Sequence, residues 1–222
     1  MAMTWVKICG TTNLEDARVA AAAGADAIGF VFAESPRQVQ PEAVAQIVRQ
    51  LPPQVEKVGV FVHHPAPQIR EIVEQAGLTA LQLHGDQEDL AQAEELLPWA
   101  DERRLRIIVA VSMLETAGIG IERPRPGAHH RAAMLLDSIT PSLRGGSGVT
   151  WDWEQFAPFV EAIRGSVDVI VAGGLKPENV QEAIRVLHPW GVDVVSGVER
   201  EPGKKDHEKV KAFVRAVREV QG

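Results

Sequence analysis

What this 222-residue chain lacks narrows its function before any motif is read. A single cysteine, Cys9, excludes an internal disulfide and suits a reducing cytosol. No apolar run approaches the ~20 residues that a membrane helix needs. Met1-Ala2-Met3-Thr4-Trp5-Val6-Lys7 also lacks the charged-then-apolar layout of a signal peptide, so a cytoplasmic protein without a membrane partner is expected. Positive charge is not in excess: a formal net charge of −7 and no basic stripe argue against a nucleic-acid partner. There is no P-loop, no dinucleotide fingerprint and no metal-ligand motif. His63-His64 and His129-His130 are adjacent pairs, not the i, i+4 spacing of a helical metal site, so no metal is expected. No linker divides the chain, and residues 1–222 are expected to form one domain.

What is present is a repeating unit. Apolar content of 45% and charged content of 24% are those of a globular protein, and the length suits one α/β barrel. Short apolar runs stand at 5–9, 27–32, 57–62, 80–83, 106–111, 132–136, 167–172 and 192–195. Helical stripes follow several of them: Val44, Ile47, Val48, Leu51; Val180, Ala183, Ile184, Leu187; and Val210, Phe213, Val214, Val217. Thr12 with Glu15 predicts a capping box, Gly24 a helix C′ position, Pro41 and Pro177 first-turn positions, and Asp206 an N-cap. Strand–helix alternation means a parallel sheet, and eight units fit a closed (β/α)8 TIM barrel. The segment 118–130, rich in Pro, Gly and Arg, predicts a short or irregular helix after the fifth strand. The scattered tryptophans predict core or rim packing.

Ligands collect at the C-terminal ends of such strands. Cys9 ends the first strand, where a thiol is either a base or nucleophile or a small buried hydrophobe. Lys7 shares its face one layer deeper. Asp137 ends the sixth strand, where an Asp can also simply begin a turn. Ala172-Gly173-Gly174 and Ser196-Gly197-Val198 follow strands seven and eight, the two loops that hold phosphate in many barrels. Gly145-Gly146-Ser147-Gly148 predicts a flexible loop after strand six, and its plain alternative is a surface loop.

These segments together resemble one family nearly end to end. They are Val6-Lys7-Ile8-Cys9-Gly10, Gly24 through Phe32, Ser35-Pro36-Arg37, Val58-Gly59-Val60-Phe61-Val62, Leu81-Gln82-Leu83-His84-Gly85 and Leu135-Leu136-Asp137. The match continues through Gly145 to Gly148 with Asp152-Trp153, then Ala172-Gly173-Gly174-Leu175, Pro177-Glu178-Asn179-Val180 and Val192-Asp193-Val194. It closes with Ser196-Gly197-Val198-Glu199 and Pro202-Gly203-Lys204-Lys205-Asp206. The chain is similar to the phosphoribosylanthranilate isomerases of tryptophan biosynthesis.

The resemblance implies Cys9 as general base and Asp137 as general acid. Arg37 would hold the anthranilate carboxylate, His84 would contact substrate, and Asp193 would meet the substrate near its amine. Gly173, Gly174, Ser196, Gly197 and Val198 would hold the phosphate. The implied partner is the small molecule phosphoribosylanthranilate, taken up by a monomer or homodimer. The implied reaction is an Amadori rearrangement. An acid protonates the ring oxygen, the furanose opens to an iminium, and a base removes the C2′ proton. No cofactor is required, because the substrate nitrogen is the electron sink. Asp ionises near ~3.9, so it must be held neutral to act as the acid, and burial and the phosphate favour that form. The chain departs from relatives at Val109, where lysine is frequent, and after Arg37, where a tyrosine is frequent. The competing enzymatic reading is the histidine-pathway aminoaldose isomerase, whose base is an aspartate. A ribulose-phosphate epimerase would need metal-binding histidines with no counterpart here. A non-catalytic phosphate-binding barrel needs the glycine loops but no acid–base pair.

Overall fold

The alternation of side chains along each strand sets the architecture. In the computed structural model, which describes residues 3–84, 87–112, 132–137 and 152–220, eight parallel strands close into a barrel. They are β1 (Trp5–Ile8), β2 (Ala27–Val31), β3 (Glu56–Phe61), β4 (Ala80–His84), β5 (Arg106–Ser112), β6 (Ala132–Asp137), β7 (Asp168–Val171) and β8 (Gly191–Val194). Each pairs with the next in chain order, and β8 returns to β1 with Lys7 opposite Asp193. Every expected strand is present, with ends moved by a residue or so, and the (β/α)8 expectation holds.

One parity faces inward. Trp5, Ala27, Val58, Ala80, Ile108, Ala133 and Ile170 form a buried cluster that fills the barrel. The small members make room for the large ones, and a Cβ on Gly191 would stand 3.0 Å from the Trp5 ring. The other parity (Val6, Ile8, Ile28, Phe30, Leu81, Leu83) packs against the helices. Val109 belongs to this outer shell, so the departure on the fifth strand does not touch the interior, which that strand lines with Ile108 and Ala110.

The helices among the described residues are α1 (Leu14–Ala23), α2 (Pro41–Val48), α3 (Ala66–Ala76), α4 (Gln87–Glu102), α5 (Trp153–Ile163), α6 (Val180–Leu187) and α7 (His207–Glu219). The stripe residues Val180, Ala183, Ile184 and Leu187 are buried, as are Val210, Phe213, Val214 and Val217. Gly24 caps α1 in the left-handed region, Pro41 opens α2, and Asp206 accepts from the Glu208 and Lys209 amides. Two expectations change. Asn13, not Thr12, caps α1, because the Thr12 hydroxyl donates to the Gly203 carbonyl at 2.6 Å instead. Pro177 lies in a turn ahead of α6 rather than in its first turn, because the Asn179 side chain closes that turn on Lys176 and Gly174. Segment 118–130 and the Gly145–Gly148 loop lie outside the described residues.

A short helical turn (Ser196–Val198) follows β8 and leads into a hairpin of β9 (Glu199–Glu201) and β10 (Lys204–Lys205). Gly203, at φ +79°, supplies the left-handed residue of its turn. At the opposite end of the barrel Trp5 stacks on Trp190 at 5.1 Å, as the packing reading of the tryptophans expects. No helix among the described residues is long and apolar enough to cross a membrane.

Candidate active site

Inward parity at the C-terminal ends of the strands assembles the site. Lys7 and Cys9 rise from β1 on one face, Gln82 and His84 from β4, Ser112 from β5, Asp137 from β6 and Asp193 from β8. Gly29 on β2 leaves the space that the first strand needs. A Cβ there would lie 2.6 Å from the Cys9 sulfur and 2.9 Å from Lys7 Cε, so only glycine lets both side chains lie side by side.

Lys7 is fully buried and donates to Gln82 Oε1 at 2.7 Å and Asp193 Oδ2 at 3.1 Å. Burial pulls its pKa down, but Asp193 and the Cys9 sulfur outweigh that and hold the ammonium above its ordinary value. The second Asp193 oxygen, Oδ1, is buried with no partner among the described residues. A buried acceptor left over in this way can take a hydrogen bond from a ligand N–H. Burial pushes the Cys9 thiol up, Lys7 and Lys205 pull it down, and Asp193 adds to the push. Cys9 is thus a buried thiol with two cations in reach.

Arg37, in the loop after β2, is already engaged in an ion pair. It is 7% exposed, and its Nε and Nη2 donate to Glu199 Oε1 and Oε2 at 2.9 and 2.7 Å. Glu199 is anchored further by the Lys205 ammonium at 3.1 Å and the Gly203 amide at 3.2 Å. Burial would raise the Glu199 carboxyl, yet Arg37 and Lys205 hold it below its ordinary value. Lys205 also donates to the Cys9 carbonyl at 2.5 Å and the Val195 carbonyl at 3.2 Å. Arg37 keeps three of the five donors of a guanidinium free among the described residues.

The glycine loops after β7 and β8 come together at the mouth of the barrel. Gly173 and Gly174 follow β7 with φ of +86° and +63°, two successive left-handed residues that side chains rarely adopt. A Cβ on Gly197 would run into the Leu175 carbonyl, so the loops after β7 and β8 touch only because that residue is glycine. The amides of Gly173, Gly174 and Gly197 donate to no acceptor among the described residues. Ser196 and Val198 flank Gly197 in the helical turn.

Half-buried Asp137 and His84 end their strands, and Ser112 stands opposite Asp137 in register with a buried hydroxyl unpartnered among the described residues. Gln82, Ser112, Glu199 and Lys205 are the site residues that sequence reasoning passed over. A signal existed for the last two: Pro202-Gly203 is a turn, and Glu199-Arg200-Glu201 and Lys204-Lys205 beside it can pair as short strands. Among the described residues no group of three His, Cys, Asp or Glu is placed to hold a metal ion.

Comparison with known proteins agrees with this geometry. The family of N-(5'-phosphoribosyl)anthranilate isomerases matches residues 6–216. The isomerase of that name from Pelobacter propionicus is 42% identical over 221 residues, 99% of this chain and 98% of its own. A crystal structure of the Thermotoga maritima enzyme superposes with a TM-score of 0.79 at 40% identity, covering 97% of this chain and 98% of that one. A phosphoribosyl anthranilate isomerase in complex with reduced 1-(o-carboxyphenylamino)-1-deoxyribulose 5-phosphate superposes with a TM-score of 0.76 at 38% identity, with the same coverage. With a matching model over nearly its whole length and relatives of this identity, the chain belongs to the N-(5'-phosphoribosyl)anthranilate isomerase family.

Proposed function

We propose that this isomerase acts on N-(5'-phosphoribosyl)anthranilate with Cys9 as general base and Asp137 as general acid. The observation that carries the reading is their common position: both stand on the inward parity at the C-terminal rim of one closed barrel. A binding protein needs the glycine loops there, but not a buried thiol flanked by an ion pair.

The reaction divides among the residues by chemistry. The phosphate lies against the free amides of Gly173, Gly174 and Gly197, with Ser196 and Val198 shaping the turn. Asp137 in its protonated form gives a proton to the ring oxygen, and the furanose opens to the iminium. The Cys9 thiolate then takes the C2′ proton, and the enolamine tautomerises to the 2-ketose. The vacant Asp193 Oδ1 accepts the amine N–H and keeps the nitrogen in line as electron sink. Lys7 holds Asp193 in place and, beside the sulfur, favours the thiolate. Arg37 offers its remaining donors to the aromatic carboxylate, and His84 lines the rim. A cytoplasmic enzyme, monomer or homodimer, fits this reading, since Cys9 must stay reduced to serve as base.

The test is a coupled assay from anthranilate and phosphoribosyl pyrophosphate, following loss of substrate fluorescence. Cys9→Ala and Asp137→Asn should each lower kcat by at least ~10²-fold with little change in KM. Near-native turnover by Cys9→Ala would remove the base from the mechanism. Turnover of the histidine-pathway aminoaldose in place of this substrate would reassign the enzyme.

A further inference from the structure

Arg37 presents a difficulty for carboxylate binding. A guanidinium already joined to Glu199 by two charge-assisted bonds is half of a neutral pair, and a neutral pair has little attraction for a second carboxylate. The structure resolves this with Lys205. The residue is 1% exposed, and its ammonium donates to three acceptors: the Cys9 carbonyl, the Val195 carbonyl and Glu199 Oε1. Three acceptors need three donors, which only the protonated amine possesses. The cluster therefore holds two cations, Arg37 and Lys205, against one carboxylate, Glu199, an excess of one positive charge. Of the two other buried carboxylates, Asp193 pairs with Lys7, and Asp16 bonds Asn13, His207 and the Lys205 backbone amide rather than the Lys205 ammonium.

We infer that Glu199 and Lys205 together determine specificity for a substrate carrying one carboxylate: Glu199 orients Arg37, and Lys205 supplies the charge that the Glu199 pairing takes away. The inference rests on Arg37 being the carboxylate clamp. Its geometric half is specific. With the Nε and Nη2 edge held by Glu199, the guanidinium cannot swing, and only the edge carrying Nη1 is left to a ligand. Arg37 Cδ also stands 2.6 Å from where a Gly10 Cβ would be, so the glycine after Cys9 is what lets the guanidinium arm lie across the mouth of β1. Its electrostatic half is that one incoming carboxylate brings the buried cluster to neutrality, whereas an uncharged aryl group leaves it one charge in excess.

The experiment measures inhibition constants for two reduced product analogues, N-aryl-1-amino-1-deoxyribitol 5-phosphates with and without the ortho carboxylate. The ratio of the two constants reads carboxylate recognition and cancels general damage to the barrel. Arg37→Ala should collapse the ratio to near one; if it does not, the clamp reading and this inference fall together. Lys205→Met should lower the ratio by about tenfold or more with Arg37 in place. Glu199→Gln separates orientation from charge, because it raises the cluster to two positive charges while loosening Arg37. The inference requires the ratio to fall by about tenfold, and a rise would overturn the positioning role. The double variant Glu199→Gln with Lys205→Met restores a single positive charge and should still show the low ratio, and recovery there would overturn it as well. Glu199→Asp, which keeps the charge and draws back the fork, serves if Glu199→Gln does not fold, and should give an intermediate ratio. If Arg37→Ala collapses the ratio while the Glu199 and Lys205 variants keep it, the clamp stands and this inference alone is wrong.

Discussion

Replacing Asp193 with alanine removes the carboxylate from a deeply buried ion pair at the seam of β1 and β8. Lys7 has no exposed surface and Asp193 only 5%, so solvent screens their attraction little. Removing one partner of a buried pair costs about 3–5 kcal/mol, because the other charge is left without compensation. Lys7 retains the Gln82 amide oxygen at 2.7 Å, which points to the lower end, about 3 kcal/mol. For a chain of 222 residues each kcal/mol moves Tm by about 2–4 °C, so Asp193→Ala should melt about 6–12 °C lower. The stranded ammonium can escape by losing its proton, so the deficit should be largest at acidic pH and shrink as pH rises. Removing both charges, Lys7→Met with Asp193→Ala, leaves no unpaired ion and should recover most of the loss. Thermal and urea denaturation across the four members of the cycle give the coupling directly, expected at about 2 kcal/mol or more. The double variant should remain a poor catalyst, since the acceptor proposed for the substrate N–H is gone. A Tm shift under about 2 °C for Asp193→Ala, or a double variant no more stable than the single one, would refute the reasoning.

The pH dependence of kcat/KM should rise well past neutrality, because burial holds the Cys9 thiol above its usual range; Lys7→Met should move that limb further alkaline, and an unmoved limb would deny Lys7 any influence on the base. Gly197→Ala forces the Leu175 carbonyl away and should raise KM and the inhibition constant of inorganic phosphate by about tenfold or more, while Gly165→Ala, with nothing within 4 Å of the new methyl, serves as the silent control. Equal effects of the two would remove the loop contact from phosphate binding. Glu199, held below its ordinary 4.5 by Arg37 and Lys205, contributes stability that is present above that pH and is lost as pH falls through its folded value. Glu199→Gln should therefore flatten the acid limb of a Tm–pH profile, and an unchanged limb would show that the pair does not stabilise the fold.

Strand parity, helical stripes and glycine placement are local properties, and the barrel is legible from them alone. Cys9, Asp137 and Asp193 fall on inward parity at strand ends because alternation along a strand needs no knowledge of its neighbours. Even the Lys7–Asp193 pair was legible, since closure of eight strands brings the last beside the first. Partners chosen across the chain were not legible. The Arg37–Glu199 bonds join residues 162 apart, and the Lys7–Gln82 bond residues 75 apart. Each could be decided only when the loops took their places on the closed barrel. The same competition explains the cap: the Gly203 carbonyl, delivered by a hairpin 191 residues away, claims the Thr12 hydroxyl, and the neighbouring Asn13 caps the helix instead. Short-range geometry follows from residue type, whereas a buried charge settles on whichever distant partner the fold carries within reach, because leaving it unpaired is the costliest outcome.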